Sequence, residues 1–263
     1  MSGKPHEVPL AESPEALDPR AIRPADIGAA LRGGAADFIR APHYGLFFAA
    51  FYVAGGLLIY WGFARAGQPL WFVLFMLGFP FLAPFAAVGL YEVSRRRERG
   101  EPMGWGAVIG RLVAQRHRQL PYMAVVLIIG FGFWIILARG ILAIFLGRSG
   151  LGLEQVDILL TANGIAMLIV GTAVGALLAA ALFSVTVVSL PLLLDREVDF
   201  VTAMIASLTA VARSPWVMLS WAAIIAVLLI VAMLPAFLGL FVILPVLGHA
   251  SWHMYRRVLP ATR

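Results

Sequence analysis

Residues 199–235 read DFVTAMIASLTAVARSPWVMLSWAAIIAVLLIVAMLP, and this stretch decides the fold. Asp199 is of the residue type that caps helix N-termini. Pro215 ends one helix, because its ring blocks helical continuation, and it suits the first turn of the next. The segment after Pro215 is apolar over the length of about 20 residues that a helix needs to cross a bilayer. This order predicts an amphipathic helix at the membrane interface that bends into a membrane span. The apolar face of that helix carries Phe200, Met204, Leu208 and Val211.

The same order of features occurs at Pro42 and at Pro121. Asp26 and Trp105 stand at the positions that correspond to Asp199, and Asp26 is also predicted to be a helix N-cap. Each long apolar run is followed by a second one, which returns the chain to its starting side. The sequence therefore predicts an all-α polytopic membrane bundle of six transmembrane helices in three hairpins. An interfacial amphipathic helix on the cytoplasmic side precedes each hairpin.

The composition places the chain in the membrane class. Apolar residues make up 61% of the 263 residues and charged residues 13%, and the mean hydropathy is +0.90. These values lie far from those of soluble domains. Six spans and their connections use nearly the whole chain, so no separate catalytic domain is expected. The chain contains no cysteine, which excludes disulfides, thiolate metal sites and thiol nucleophiles.

The apolar runs predict where the spans lie. They are residues 44–64, 69–93, 121–146, 158–194, 216–234 and 236–255, with a tight turn at Pro235 between the last two. The fourth run is too long for one perpendicular crossing of about 30 Å of hydrocarbon, so we expect tilt or an extension, with Pro191 marking a change of direction. Gly171 and Gly175 form a G-x-x-x-G pattern in this run. The pattern predicts a central, tightly packed helix or, alternatively, a homodimer face.

The ends of the chain differ in character from its middle. Residues 1–24 are expected to form a disordered cytoplasmic tail, because their prolines and charges leave little to bury. No apolar core followed by a small-residue cleavage site occurs there, so a signal peptide is not expected. Residues 25–263 are expected to form the membrane domain, with hairpins at about 25–98, 99–195 and 196–259.

The basic residues predict the orientation. With both termini inside, 17 of the 20 Lys and Arg residues lie on the cytoplasmic side. The remaining three, Arg65, Arg139 and Arg148, fall towards the outside. Because basic residues concentrate in cytoplasmic loops, the N-terminus and the C-terminus are both expected in the cytoplasm.

Two histidines near the inner end of the last predicted span carry metal-binding chemistry. His249 and His253 are four residues apart and share one helix face, and Glu92 holds the equivalent position in the second span. If these spans touch, two histidines and a carboxylate could hold a metal or contact a haem edge. The alternative is hydrogen bonding to headgroups, backbone or neighbouring arginines. Because a histidine pair at this spacing is a weak signal, no metal site and no cofactor are predicted, and the three residues are weak candidates only.

Charged residues gather where the even-numbered spans reach the cytoplasm. Asp195 and Arg196 follow the fourth span and are expected to form a structural clamp, with a contact point for a partner or a proton as the alternative. The arginines at the ends of the second and sixth spans are expected to face anionic lipid or a protein partner. They are Arg95, Arg96, Arg97, Arg99, Arg256 and Arg257. No nucleic-acid binding is expected, because topology already explains basic loops beside spans.

Three segments resemble a known family: SLPLLLDREVDFVTAMIASLTAV from Ser189, SPWVMLSWAAII from Ser214 and PVLGHASWHMYRRV from Pro245. The chain resembles the bacterial integral membrane proteins grouped as domain-of-unknown-function family 2189 over roughly residues 26–258. The Asp-Arg pair after the fourth span and the G-H-A-S-W-H-x-Y-R segment are the most specific parts. The resemblance implies six spans and a location in the bacterial inner membrane, and it implies no activity.

Two classes of function remain. The sequence contains no nucleotide-binding loop, Ser–His–Asp arrangement, zinc-protease motif or pair of intramembrane carboxylates, so an enzyme is not expected. The first class is a non-enzymatic accessory, assembly or regulatory component associated with a membrane complex or lipid. The alternative is a transporter or channel for ions or small molecules. The expected partners are a bilayer with anionic lipids and a membrane-complex partner or a second copy. A polar, water-filled cavity at mid-membrane would favour transport, and a dry, closed bundle would favour the accessory role.

Overall fold

The computed structural model describes residues 17–67, 83–115, 118–147 and 159–261. Within these ranges every regular element is a helix, so the prediction of an all-α fold is confirmed. In chain order the helices are α1 (Pro24–Arg40), α2 (Pro42–Arg65), α3 (Ala83–Arg99), α4 (Trp105–Ala114), α5 (Leu120–Leu146), α6 (Ala162–Thr186), α7 (Ser189–Asp195), α8 (Phe200–Arg213), α9 (Pro215–Met233) and α10 (Leu240–Val258).

Four helical stretches of the described chain are long and apolar enough to cross a membrane. They match the first, third, fourth and fifth predicted spans. The predicted second span begins outside the described residues and ends within α3. The predicted sixth span corresponds to α10, whose second half carries histidine, tryptophan and arginine. The six-span arrangement therefore stays a prediction. The four candidate spans are Pro42–Arg65, Leu120–Leu146, Ala162–Asp195 and Pro215–Met233.

Short helices precede the long apolar helices where the sequence predicts them. α1, α4 and α8 come before helices that carry Pro42, Pro121 and Pro215 in their first turns. Asp199 caps α8 as predicted, because its carboxylate accepts a hydrogen bond from the amide of Thr202 at 2.9 Å. The prediction for Asp26 is wrong. α1 already begins at Pro24, so Arg23 is the N-cap residue and its amide donates to the Asp26 carboxylate at 2.8 Å.

Pro191 interrupts the fourth apolar run. α6 ends at Thr186 and α7 begins at Ser189. A proline has no N–H to donate to the carbonyl four residues earlier, and its ring clashes with that carbonyl, which here belongs to Val187. The amide of Val188, in the turn between the two helices, donates to Ser207 Oγ of α8 at 3.1 Å. The interruption therefore lies just before Pro191, and α8 stabilises it.

α10 is the central helix of the described structure. Most of its residues are buried, and α1, α2 and α3 pack directly against it. Glycines make two of these contacts very close. A Cβ at Gly34 of α1 would lie 2.5 Å from the carbonyl oxygen of Val246, and one at Gly248 would lie 2.4 Å from the side chain of Leu90 in α3. These distances leave no room for a side chain, so α1 and α10 meet almost backbone to backbone.

The fourth apolar run is not the central helix that its G-x-x-x-G pattern predicts. Only 6% of its apolar window is buried within the protein. Gly175 does form a close contact, because an added Cβ would lie 2.9 Å from the ring of Trp134 in α5. Around Gly171 the nearest side-chain atom lies 4.0 Å from such a Cβ. The pattern therefore accounts for one contact between α5 and α6 and does not indicate a position at the centre.

The stretch before α1 is packed against the helices. Leu17 and Ile22 are buried. The amide of Arg20 donates to the carbonyl of Val258 at 2.8 Å, and the amide of Ile22 donates to Ser214 Oγ at 3.0 Å. The placement of residues 17–23 in a disordered tail is therefore wrong, because their backbone groups and apolar side chains find partners on α10 and at the α8–α9 corner. Residues 1–16 lie outside the described residues.

The close contact between α1 and α10 predicts that Gly34→Ala will be destabilising. The added methyl group meets backbone atoms of Val246 and Ala250, which can move only if α1 moves. Overpacking of this kind costs about 1–3 kcal/mol. Thermal unfolding in mild detergent measures the effect. Gly28→Ala in the same helix is the matched control, because the nearest atom there is a flexible arginine tip at 3.5 Å. Equal unfolding temperatures for the two variants would contradict the prediction.

Candidate functional site

Charged and polar side chains from four helices meet at one end of the bundle. The ends of α1, α3, α7 and α10 come together there, because each of them carries polar residues in its last turns. We call this group the end cluster. It consists of Asp37, Glu92, Ser94, Arg95, Arg96, Arg97, Glu98, Arg99, Glu101, Asp195, His249, Trp252, His253, Tyr255 and Arg256.

Asp37 joins α1 to α3 and α10. Its Oδ1 accepts a hydrogen bond from Arg97 Nε at 2.8 Å. Its Oδ2 accepts one from Ser94 Oγ at 2.7 Å and lies 2.9 Å from Nε2 of His253. Ser94 Oγ also lies 2.8 Å from His249 Nδ1. The single hydroxyl proton goes to Asp37, so Nδ1 of His249 carries the proton of that ring and donates it to Ser94.

The surroundings of Asp37 favour its charged form. Burial alone would raise its pKa, but the hydrogen bonds from His253, Ser94 and Arg97 outweigh burial and lower the pKa from 3.8 to about 2. A carboxyl whose pKa is lowered by folding stabilises the folded state above its unfolded pKa, and it loses this contribution as the pH falls through the folded value. Asp37 therefore stabilises the fold at neutral pH.

Glu92 is the second centre of the end cluster, and it is fully buried. Arg95 forms a bidentate pair with it, with N–O distances of 2.8 and 2.9 Å, and Arg96 Nε donates to it at 2.7 Å. Arg95 also forms a bidentate pair with Glu101, at 2.9 and 3.0 Å. The hydrogen bonds to Glu92 raise the pKa of Arg95 in spite of its burial. Burial opposes ionisation of Glu101, but Arg95 keeps the pKa of that carboxyl below its ordinary value.

Asp195 is the third centre and joins α7 to α3 and α10. Its side chain is 2% exposed. It accepts hydrogen bonds from Arg99 at 2.7 Å, from the Tyr255 hydroxyl at 2.8 Å and from Arg256 at 2.8 Å. Arg196, which the sequence groups with Asp195 as a clamp, donates to the carbonyl of Pro260 at 2.8 Å. Within α10, Asp195 is bound by Arg256 and by the Tyr255 hydroxyl.

Three of the arginines that were expected to face lipid or a partner face inwards. The side chains of Arg95, Arg96 and Arg256 are only 6%, 14% and 11% exposed. Their guanidinium groups bind carboxylates of the end cluster. This pairing is favoured because a buried carboxylate without a cation would be strongly destabilising, whereas lipid headgroups at the membrane surface stay solvated. Arg97 is partly covered by its contact with Asp37. Arg99 and Arg257 stay partly exposed, at 45% and 32%.

The weak metal candidates do not converge on one point. Glu92 is occupied by Arg95 and Arg96, His249 faces Ser94, and His253 faces Asp37. In the part of the chain that the structure describes, no group of three His, Asp or Glu side chains has a spacing suited to a metal ion. Nε2 of His249 is buried and has no hydrogen-bond partner among the described residues.

Sequence reasoning missed Asp37, Ser94, Trp252 and Tyr255 as members of the end cluster. A signal for Asp37 exists. The buried positions of α1 are Ile27, Ala30, Gly34 and Asp37, which follow helical spacing. A carboxylate at the last position of a core-facing stripe is expected to find partners in the core. Trp252 Nε1 donates to Glu98 at 2.9 Å, and Arg256 donates to the same oxygen at 2.9 Å. No local pattern indicates that Glu98 meets α10.

A second feature lies between the long helices, away from the end cluster. A cavity of about 670 Å³ separates α6 from α9, and α3, α5 and α10 close it on other sides. We call it the alanine cleft, after the small side chains that line its two long walls. They are Ala173, Ala176 and Ala180 of α6 and Ala222, Ala223 and Ala226 of α9.

The contacts of Asp37 predict a dependence of stability on pH. Asp37→Asn removes the charge that Arg97 and His253 face, so the variant should lose roughly 2 kcal/mol of unfolding free energy at pH 7. In the natural chain this contribution should disappear as the pH falls from about 4 towards 2, and the variant should lack that part of the acid dependence. Unfolding in detergent over this pH range measures both effects.

Asp18→Asn is the control for that experiment. Asp18 also pairs with an arginine, Arg213, but its side chain is 71% exposed. An exposed pair contributes at most about 1 kcal/mol, so this variant should change little. If Asp37→Asn kept the acid dependence of the natural chain, the assigned role of Asp37 would be wrong.

The comparisons with known proteins give one result. The family described as "Predicted integral membrane protein (DUF2189)" matches residues 72–195. No curated protein and no solved structure matches the chain. The family match ends at Asp195, so the G-H-A-S-W-H-x-Y-R segment lies beyond it. Over residues 72–195 the chain is therefore similar to a family of predicted integral membrane proteins, and this is the family whose resemblance the sequence predicts.

Proposed function

We propose that this protein is a non-enzymatic accessory component of the bacterial inner membrane. In this proposal it assists the assembly, stability or regulation of a membrane complex, and its cytoplasmic end is the docking surface. The end cluster forms a rigid platform at that end. Arg99 and Arg257 give the platform a basic rim that suits an acidic protein surface or anionic lipid headgroups.

One observation carries the proposal: the charged groups and the cavity are separate. Asp37 and Asp195 bind arginine, serine, histidine and tyrosine side chains of neighbouring helices, and Glu92 binds two arginines of its own helix. The alanine cleft is lined mainly by alanine, leucine, isoleucine and phenylalanine. A carrier of ions or polar solutes needs charged or polar groups at its binding site near mid-membrane. The described lining of the cleft contains no charged side chain, and its polar side chains are confined to the end nearest the end cluster, which favours the accessory role over transport.

We infer a six-span topology from the way in which the end cluster closes the chain into loops. Ser94 meets Asp37, so the chain between them leaves one end of the bundle and returns to it. Arg99 meets Asp195, and Asp195 meets Arg256, which closes two further loops. Each loop contains at least one of the four candidate spans. A chain that crosses a membrane once and returns to its starting side must cross it a second time.

The orientation follows from the same contacts. The end cluster gathers the arginines of α3 and α10, and basic residues favour the cytoplasmic side. This supports a location in the bacterial inner membrane with both termini in the cytoplasm and with anionic lipid beside the end cluster. α1, α4 and α8 then lie at the cytoplasmic interface. Rings of Tyr44 and Trp105, 4.5 Å apart, join α4 to the start of α2, as aromatic residues at a membrane interface do.

Single cysteines test this topology without background, because the chain has no cysteine of its own. Ala66, Met103 and Ala261 are exposed, so the three test variants are Ala66→Cys, Met103→Cys and Ala261→Cys. A membrane-impermeant maleimide should label the first variant from outside intact cells, and it should label the other two only from the cytoplasmic side. With four spans alone, position 103 would lie on the same side as position 66. Labelling of Met103→Cys from outside would therefore contradict the six-span proposal.

Affinity purification in mild detergent tests the accessory role. We expect the tagged chain to retain a stoichiometric membrane protein that a tagged, unrelated multi-pass protein does not retain. The purified chain in proteoliposomes should show no more proton or potassium flux than liposomes of the same lipid. Flux above that control, from a chain that purifies alone, would contradict the accessory role and support the transporter alternative.

A further inference from the structure

The two walls of the alanine cleft face each other as matched stripes. Ala173, Ala176 and Ala180 are spaced so that they lie on one face of α6. Ala222 and Ala226, together with Leu219, lie on one face of α9. Alanine pairs normally let helices approach closely. Here the helices stay apart, and about 670 Å³ of space lies between their alanine faces.

The described lining of the cleft offers no free hydroxyl proton for a hydrogen bond to a polar ligand. Its polar side chains are Tyr91, Thr186 and Ser251, at the end nearest the end cluster. The hydroxyl of Thr186 donates to the carbonyl of Leu182 at 2.7 Å, and the hydroxyl of Ser251 donates to that of Leu247 at 2.8 Å. Tyr91 is paired with Ser251. A polar ligand would lose its water contacts and gain few hydrogen bonds in return, so an apolar occupant is favoured.

The cleft opens sideways, between two helices that are candidates for membrane spans. Leu177, on its lining, is 73% exposed, and Ala223 on the opposite wall is also exposed. The end towards the end cluster is closed by Val187 and Leu190, which are buried. In an integral membrane protein the medium at such a lateral mouth is lipid hydrocarbon. An occupant therefore enters from the bilayer and not from the cytoplasm.

The size of the cleft favours a hydrocarbon tail over a transmembrane helix of a partner. A helix of about 10 Å diameter fills roughly 400 Å³ per turn, so the cleft accommodates less than two turns of one. A spanning helix of about 20 residues has between five and six turns. The volume falls within the range of about 300–1,000 Å³ that is common for sites of small ligands. A flexible hydrocarbon chain can fill a space of this size and of irregular shape.

We propose that the alanine cleft is a binding site for the hydrocarbon tail of one membrane lipid. The tail joins the α5–α6 hairpin to α9 and α10, where few direct contacts link these helices. The inference rests only on the position of α6 and α9 in the membrane and not on the accessory role. The lipid is an amphiphile with at least one long acyl tail, and its headgroup stays at the membrane surface.

Photolabelling of the full-length protein tests the site. The purified chain is reconstituted in vesicles of phosphatidylethanolamine and phosphatidylglycerol that contain phosphatidylglycerol with a diazirine at the end of one acyl tail. After illumination, mass spectrometry maps the labelled residues. We expect the label to concentrate on residues of the cleft, such as Leu177, Ala222 and Ala223. Uniform labelling of all lipid-exposed helix faces, with no preference for the cleft, would overturn the proposal.

Two double variants distinguish specific binding of a lipid tail in the cleft from general contact of lipid with the helices. Ala176→Trp with Ala223→Trp fills the cleft and should reduce its labelling several-fold. Ile169→Trp with Val227→Trp is the matched control on the same helices, because both residues are exposed and lie outside the lining. If the first pair fails to fold, Ala176→Leu with Ala223→Leu fills less space and takes its place. Equal labelling of the filled and control variants would contradict the proposal. A photocrosslink that joins two copies of the chain across the mouth of the cleft would also contradict it.

Failure of the lipid-site proposal and failure of the accessory role would be seen in different experiments. Cysteine labelling reports on topology, and purification reports on a protein partner. Neither readout depends on the alanine cleft. A positive photolabelling result with no protein partner would leave the lipid site intact and remove the docking role.

Discussion

The described structure depends on the pairing of three buried carboxylates. Asp37, Glu92 and Asp195 lie where water cannot solvate them, and an unpaired ion in that position would be strongly unfavourable. Their cations come from α3 and α10, and for Asp37 and Asp195 these helices are distant in sequence. The requirement for pairing therefore fixes which helix ends meet. Close packing of α1 on α10 at Gly34 holds the same end together by shape.

The two features that bear on function, the end cluster and the alanine cleft, lie in different parts of the molecule. The charges of the end cluster pair with one another and hold the helices together. Between the long helices, the alanine cleft leaves space where hairpins meet only through a few contacts. The paired charges and the apolar cavity are therefore separate features of the described structure. This separation is the basis on which we propose an accessory role and a lipid site.

Much of the fold could be predicted because the bilayer imposes length and composition on a span. The runs that begin near Pro42, Pro121 and Pro215 correspond to helices within one or two residues. The exceptions have physical causes. α10 is the central helix although its second half is polar, because its polar groups satisfy those of α1, α3 and α7. The fourth run looked central from its glycines, but a G-x-x-x-G pattern reports a close contact and not the number of neighbours.

The sequence by itself determined the class of the protein, the positions of four long apolar helices, the proline corners and the gathering of charge at the ends of α3, α7 and α10. These properties follow from local hydropathy, helix geometry and the lack of an N–H in proline. Only the tertiary structure decided that Arg95, Arg96 and Arg256 face inwards, that Asp37 joins three helices and that alanine faces stay apart. Pairing and cavities depend on distances between segments that are remote in the chain, and no local pattern contains those distances.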